Sequence, residues 1–426
     1  MPASSRGSLL TALTLSLHQI GLIDFQRWTT GKQTHGSWRI DDNPSRSKLI
    51  WAVYAAIEAL SKSSRPEFRG LGDSWQKWLD YTKYTAARVF YNGTGRVCAI
   101  VSIANQSLSP THPLQSYTCE GPTLLNDPYE GELFTWWLHL FGSLPKADKN
   151  ALWLTKRPQL TSTEYTGSNV NTSDSDRSLT NYSGYPILPP TIPPITVPIG
   201  LHFSSSEQFK LLLLPYLSIP LLSRLSHNAE RARTCNAHLT ANPGMFTRVI
   251  NVTEPSNTEA ESFPPLLPAG IPSLSTDPTQ ALDVISPSSI FPTLLVNASV
   301  ALAWYKSMLD LSPQAQTPYG AAASLRRDAS TVANFVGWDA KVPVVVALLG
   351  GVGGLVRRKM EAEQREEEAV YQEFVAVVER EYRRVFDPMV LLGEEVELCL
   401  PKVGGQGVGM GMGMGMVGDG NEICLF

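Results

Sequence analysis

Apolar residues recur at helical spacing along almost the whole of this chain, and no alternation of strands with helices accompanies them. Lys48–Ser61 sets Ile50, Val53, Tyr54, Ile57 and Leu60 near one face, and Ser74–Tyr91 repeats the pattern with Trp75, Trp78, Leu79, Thr82 and Ala86. Further helical stretches are Pro128–Phe141, Lys146–Thr155, Glu207–Leu214, Leu221–Cys235, Val296–Leu309, Leu325–Phe335, Pro343–Val356 and Arg357–Phe386. The last carries an apolar stripe of Tyr371, Phe374, Val375, Val378 and Tyr382, and its many charges read as a solvated face. Strand signals are confined to Val97–Ile103 and Ile195–Phe203. Such a chain is predicted to be all-α, as a helical toroid or a superhelical stack. No repeat of roughly 30–45 residues is visible, which weighs against the stack.

Composition narrows the function. With 35 basic and 39 acidic side chains among 426 residues, the chain lacks the charge of an electrostatic nucleic-acid binder. Hydrophobic residues at 43 % exclude wholesale disorder, and charged residues at 17 % leave the surface to uncharged polar groups, as in many secreted proteins. N-x-[ST] acceptors at Asn92, Asn105, Asn171, Asn181, Asn251 and Asn297 point the same way. Arg6 and Leu9–Leu17 make only a weak signal segment with no cleavage site, so the sequence is expected to begin downstream of a true secretory start. The cysteines (Cys98, Cys119, Cys235, Cys399, Cys424) have no metal-ligand spacing and allow at most two disulfides. Leu211–Leu222 is broken by Pro215 and Pro220, and Val342–Val356 carries glycines, so both read as buried helices of a soluble protein.

Residues 1–20 are poorly defined, 21–402 form the expected single toroid domain, and 403–426 are a Gly/Met-rich disordered tail. A surface insertion is expected near 168–190, within the turn-rich stretch Thr166–Pro194. Pro255–Pro287 is a second long loop, of a kind that often carries function.

Most reactive signatures are absent: there is no H-E-x-x-H, G-x-S-x-G or P-loop. The informative segment is Asn126–Phe141. Asp127 and Pro128 mark a helix start, and Glu130 sits where a carboxylate reaches back to the cap. Glu132 has no capping role and shares a face with Thr135, Trp136 and His139. Carboxylates among aromatic rings suit a general acid, and the rings suit sugar faces. On pattern alone, a surface glutamate and a catalyst are equally good readings of Glu132. Asp339, beside Trp338 after Gly337, reads first as an N-cap, with a catalytic carboxylate as the other reading. The polar loop Lys32–Arg39, with Trp38, and the turn Thr317–Gly320, with Tyr319, could line a cleft or simply turn the chain.

In these residues the chain resembles the fungal endo-β-1,2-glucanases of glycoside hydrolase family 162, distantly related to bacterial family 144. The likeness runs from about Trp28 to Pro401 and is carried by Gly31–Arg39, Asn92–Cys98, Tyr117–Phe141, Asn228–Cys235, Pro318–Gly320 and Trp338–Gly351. It implies an (α/α)6 toroid, here expected to be incomplete at the N-terminus, that cleaves linear β-1,2-glucan internally with inversion and releases sophoro-oligosaccharides. The resemblance places the acid on Glu132, with Glu130 as the alternative, and the base on Asp339. The base is expected to draw its proton from water through a substrate hydroxyl. Tyr129, Trp136, His139, Trp338, Tyr319 and Trp38 would bind sugar. No cofactor or metal is implied, and the expected partner is a β-glucan met by a secreted monomer, with neither nucleic acid nor membrane. A non-catalytic sugar-binding relative, or a hydrolase of another β-glucan, is the alternative.

Overall fold

The computed structural model describes residues 39–41, 45–98, 100–105, 108, 111–119, 130–156, 160–166, 195–247, 249–250, 266–267, 269–277, 283–333, 336–365, 368–386 and 397–401. Its helices are α1 Ser45–Ser61, α2 Pro66–Phe90, α3 Glu130–Phe141, α4 Lys146–Lys156, α5 Phe209–Leu213, α6 Pro220–Leu239, α7 Phe291–Val296, α8 Ala298–Leu311, α9 Trp338–Leu348, α10 Gly353–Ala362 and α11 Val370–Glu381. Strands are short and stay at the margins. β1 Arg39–Asp41, β2 Ile100–Ile103 and β3 Tyr117–Cys119 form an antiparallel sheet. The others pair two by two: β4 Ser162–Tyr165 with β5 Ile195–Pro198, β6 Val249–Ile250 with β7 Leu266–Leu267, β8 Val284–Ile285 with β11 Leu325–Arg326, β9 Gln316–Thr317 with β10 Gly320–Ala321, and β12 Gln364–Arg365 with β13 Glu368–Ala369. The architecture is all-α, of the (α/α) toroid class.

Helix α3 is enclosed, because α1, α2, α4, α5 and α11 all pack on it and residues 131–141 are buried. Its composition (Leu133, Phe134, Trp136, Trp137, Leu138, Leu140, Phe141) leaves no polar face to offer water. Trp51 and Tyr54 of α1 meet Trp137 and Phe141 in an edge-on ring cluster, and Trp51 Nε1 donates to the Leu133 carbonyl at 2.9 Å. A second, smaller core lies between β4–β5 and α6, built from Tyr165, Ile195, Val197, Ala229, Ala232 and Cys235. Disulfides join Cys98 to Cys119 and Cys235 to Cys399, the two that the cysteine count permits. Cys424 lies outside the described residues, as do the expected insertion and tail.

Three expected helices are corrected. Leu325–Phe335 is not helical: Leu325–Arg326 is β11, and the chain then turns where the Asp328 carboxylate accepts from the Ser330 N–H at 3.0 Å and Ala329 takes φ 61°. Pro343–Val356 is two helices. The first begins earlier, at Trp338, and ends where Gly350 and Gly351 adopt φ 83° and 74°. There Val352 N donates to the Leu212 carbonyl at 2.7 Å, and a Cβ on Gly353 would lie 2.7 Å from the Leu214 oxygen, so glycine is what lets this turn close on α5. Arg357–Phe386 is likewise divided, by the β12–β13 hairpin between Ala362 and Val370. Its apolar stripe does face inward: Tyr371, Phe374, Val378 and Tyr382 are all buried.

Candidate active site

The first turn of α3 holds the two glutamates singled out above. Glu132 is 0 % exposed, and its carboxylate is met by donors from two other parts of the chain. Lys210, on α5, reaches one oxygen at 3.1 Å, while the hydroxyls of Tyr216 and Tyr382 both donate to the other. Trp136, one turn further along α3, donates from Nε1 to the Tyr216 hydroxyl at 2.6 Å, and the two phenol oxygens lie 3.2 Å apart. Burial, and then the Glu132 charge, push both phenols well above the ordinary tyrosine value, so they remain donors at any working pH. The group expected to be a proton donor is thus enclosed, its oxygens held by Lys210 and the two phenols.

Trp136 and His139 are corrected from sugar contacts to packing residues. Trp136 is 0 % exposed, its ring enclosed by Trp153 and Phe374 at centroid distances of 4.7 and 4.3 Å. His139 is 3 % exposed, accepting at Nδ1 from Trp153 at 3.2 Å and facing Glu373 at 3.3 Å through Nε2. Lys149 also binds Glu373, at 2.7 Å. Burial tends to raise the Glu373 carboxyl, but His139 and Lys149 outweigh it and hold the group down at about 2. This trio ties α3 and α4 to α11, leaving neither ring a face for a pyranose.

On the other side of α5 stands α9. Trp338 and Asp339 are its first two residues, and Gly337 is the N-cap, which corrects the capping reading of Asp339. Pro343, with no N–H, cannot donate to the Asp339 carbonyl four residues before it, so the turn that carries Asp339 is loosened. The β9–β10 turn brings Tyr319, 80 % exposed, beside this end of α9: a Cβ on Gly320, at φ 115°, would lie 2.9 Å from Lys341 Cε. Because α9 and α3 both pack on α5, the two carboxylate-bearing helix starts share one support. Tyr129 and Trp38 lie outside the described residues, and so do the side chains of Glu130, Trp338 and Asp339.

Lys210, Tyr216 and Tyr382 are the participants the sequence reading missed. One signal was available: Lys210 is a lone charge inside Phe209–Leu214, an otherwise apolar run. Glu207, one turn before it, is also buried and accepts from the backbone N–H groups of Leu201 and His202 at 3.1 and 2.6 Å. Burial nevertheless pushes its carboxyl up to about 7. No cluster of His, Cys, Asp and Glu among the described residues could hold a metal, and no single described helix is long and apolar enough to cross a membrane.

Comparison with known proteins gives the site its context. Residues 41–409 match the family model described as endo-beta-1,2-glucanase SGL. The endo-β-1,2-glucanase of Talaromyces funiculosus with sophorose is 45 % identical, with a TM-score of 0.73 over 86 % of this chain and 68 % of that one. A glutamate-to-glutamine mutant of the Talaromyces enzyme, with β-1,2-glucan, aligns at 41 % identity and a TM-score of 0.78, over 94 % of this chain and 77 % of that one. The Chitinophaga pinensis endo-β-1,2-glucanase shares the fold at 11 % identity and a TM-score of 0.52, over 82 % of each chain. None of the curated proteins compared matches this chain.

Proposed function

This chain belongs to the endo-β-1,2-glucanase SGL family, glycoside hydrolase family 162, and from that premise we infer that it cleaves β-1,2-glucan at internal bonds and releases sophoro-oligosaccharides. The observation that carries the reading is the match along residues 41–409 together with a relative of 45 % identity bound to sophorose. The working place is outside the cell. Family members are typically secreted, and two disulfides and exposed acceptors at Asn92, Asn105 and Asn297 suit that setting.

Glycoside hydrolysis needs one carboxyl to protonate the leaving oxygen and another to activate water. The first turn of α3 supplies the donor. Glu130 takes that role in preference to Glu132, because a general acid must touch the glycosidic oxygen and Glu132 is enclosed with its oxygens already bound. Glu132 is then a positioning residue, a buried carboxyl that ties the start of α3 to α5 and to both tyrosines. Asp339 serves as base, drawing the proton of the attacking water through a sugar hydroxyl, with inversion at the anomeric carbon. That relay relaxes the direct spacing of about 6.5–9.5 Å between carboxylates usual for inverting enzymes. Trp338 and the exposed Tyr319 offer sugar contacts at the α9 end of the site, and Tyr129 at the α3 end. No cofactor takes part, and the enzyme acts as a monomer.

The direct test is reducing-end release from β-1,2-, β-1,3- and β-1,4-glucans, with proton NMR of the first product. Activity on the β-1,2 polymer with inverted product supports the reading. Sugar binding without release, or release only from another glucan, overturns it.

A further inference from the structure

We propose that Arg231 and Tyr165 form a binding site for a small monovalent anion, of chloride or bromide size, between α6 and the β4–β5 ribbon.

Three buried arginines or arginine partners on α6 set the contrast. Arg233 is fully answered: Nη1 lies 2.8 Å from both oxygens of Glu230, and Nη2 donates to the Ser289 carbonyl at 2.8 Å. Glu230 in turn accepts from Thr293 at 2.6 Å, so the whole group is closed and neutral. Arg231, two residues away, turns to the other side of the helix, and only 9 % of it is exposed. Its Nε and Nη1 are enclosed and have no hydrogen-bond partner among the described residues, and neither has the hydroxyl of Tyr165, which is 1 % exposed. Tyr165 and Arg231 are close enough to feel one another electrostatically, and the other charge acting on Arg231 is a second cation, Arg224. Residues 224, 228 and 231 fall on one helix face, and Asn228 fixes that face to β5 by donating to the Thr196 carbonyl at 2.9 Å.

Every unanswered group here is a donor. Burying a guanidinium with no opposite charge is costly, and a neutral water would leave the Arg231 charge uncompensated. An anion answers both needs. The walls select a small one, for Ile195, Val197, Ala229 and Ala232 are apolar and buried around the same ribbon and helix face. A multivalent, strongly hydrated oxyanion would lose too much water there. The substrate is an uncharged polysaccharide, so this site is separate from the reaction.

The test is thermal unfolding of the full chain at constant ionic strength, with sodium gluconate replaced stepwise by sodium bromide. Binding to the native state alone should raise Tm by roughly 4 °C once bromide reaches about 100 times its Kd. Arg231→Met should abolish the bromide dependence, and Tyr165→Phe should weaken it, with activity on β-1,2-glucan unchanged in both. A wild-type Tm indifferent to the anion, or an Arg231→Met protein that keeps the full response, overturns the proposal. Should Arg231→Met fail to fold, crystals of the wild type soaked in bromide decide the matter. An anomalous peak within hydrogen-bonding distance of Arg231 Nε supports the site, and no peak there overturns it.

Discussion

Glu132 looks catalytic in sequence, and in the fold it is buried among partners that no local pattern predicts. Its neighbours by helical period are aromatic, as expected, but the decisive partners come from remote parts of the chain: Lys210, Tyr216 and Tyr382. Glu132→Ala removes a buried carboxylate held by Lys210, itself only 14 % exposed, and by two phenols, and should destabilise the protein by about 3–5 kcal/mol in urea unfolding. Tyr216→Phe deletes one donor to Glu132 and the acceptor of the Trp136 N–H, and should cost about 2–3 kcal/mol by the same measurement. Glu130→Gln should behave in the opposite way. Its Tm should stay near the wild-type value, while kcat on β-1,2-glucan falls by about 100-fold or more. If Glu132→Gln retains its Tm and loses activity while Glu130→Gln remains active, the two assignments must be exchanged.

At the scale of elements, charge and covalent ties join helices that periodicity could only delimit. Glu373, held at about 2 in the folded protein against an ordinary 4.5, stabilises the junction of α3, α4 and α11 fully above the ordinary value. That stabilisation is lost as pH falls toward 2, by about 1–2 kcal/mol after allowance for solvent screening. Urea unfolding of Glu373→Gln should show a flatter acid limb than the wild type. Glu207 has the reverse sign. Its folded value of about 7 lies above 4.5, so its contribution is full below 4.5 and declines as pH rises to 7, and Glu207→Gln should flatten that limb. The Cys235–Cys399 bridge closes 164 residues of sequence and pins residues 397–401 to α6, where Cys399 also accepts from Trp304 Nε1 at 2.8 Å. Cys399→Ser should lower stability by up to roughly 5 kcal/mol, read as a shift in the urea midpoint.

For the whole molecule, the helix order was legible because each helix had to bury an apolar face whatever its neighbours. Periodicity therefore located α1, α2, α4, α6 and α8 to within a turn or so, apart from the longer start of α2. It misjudged Leu325–Phe335, where a local Asp328 turn competes with helix, and the long C-terminal helices, which Gly350–Gly351 and the β12–β13 hairpin interrupt. The family motifs brought out the first turns of α3 and α9 as the places to look for carboxylates.

By itself, then, the sequence determined the all-helical class, the family and the disulfide limit, since these depend on local spacing and residue chemistry. Only the tertiary structure decided that Glu132 is enclosed, which of the described aromatic rings are core, and that Arg231 has no counter-charge among the described residues. Those outcomes depend on Lys210, Tyr216, Phe374 and Tyr382 arriving from distant segments, and burial is a property of the assembled neighbourhood that no single helix encodes.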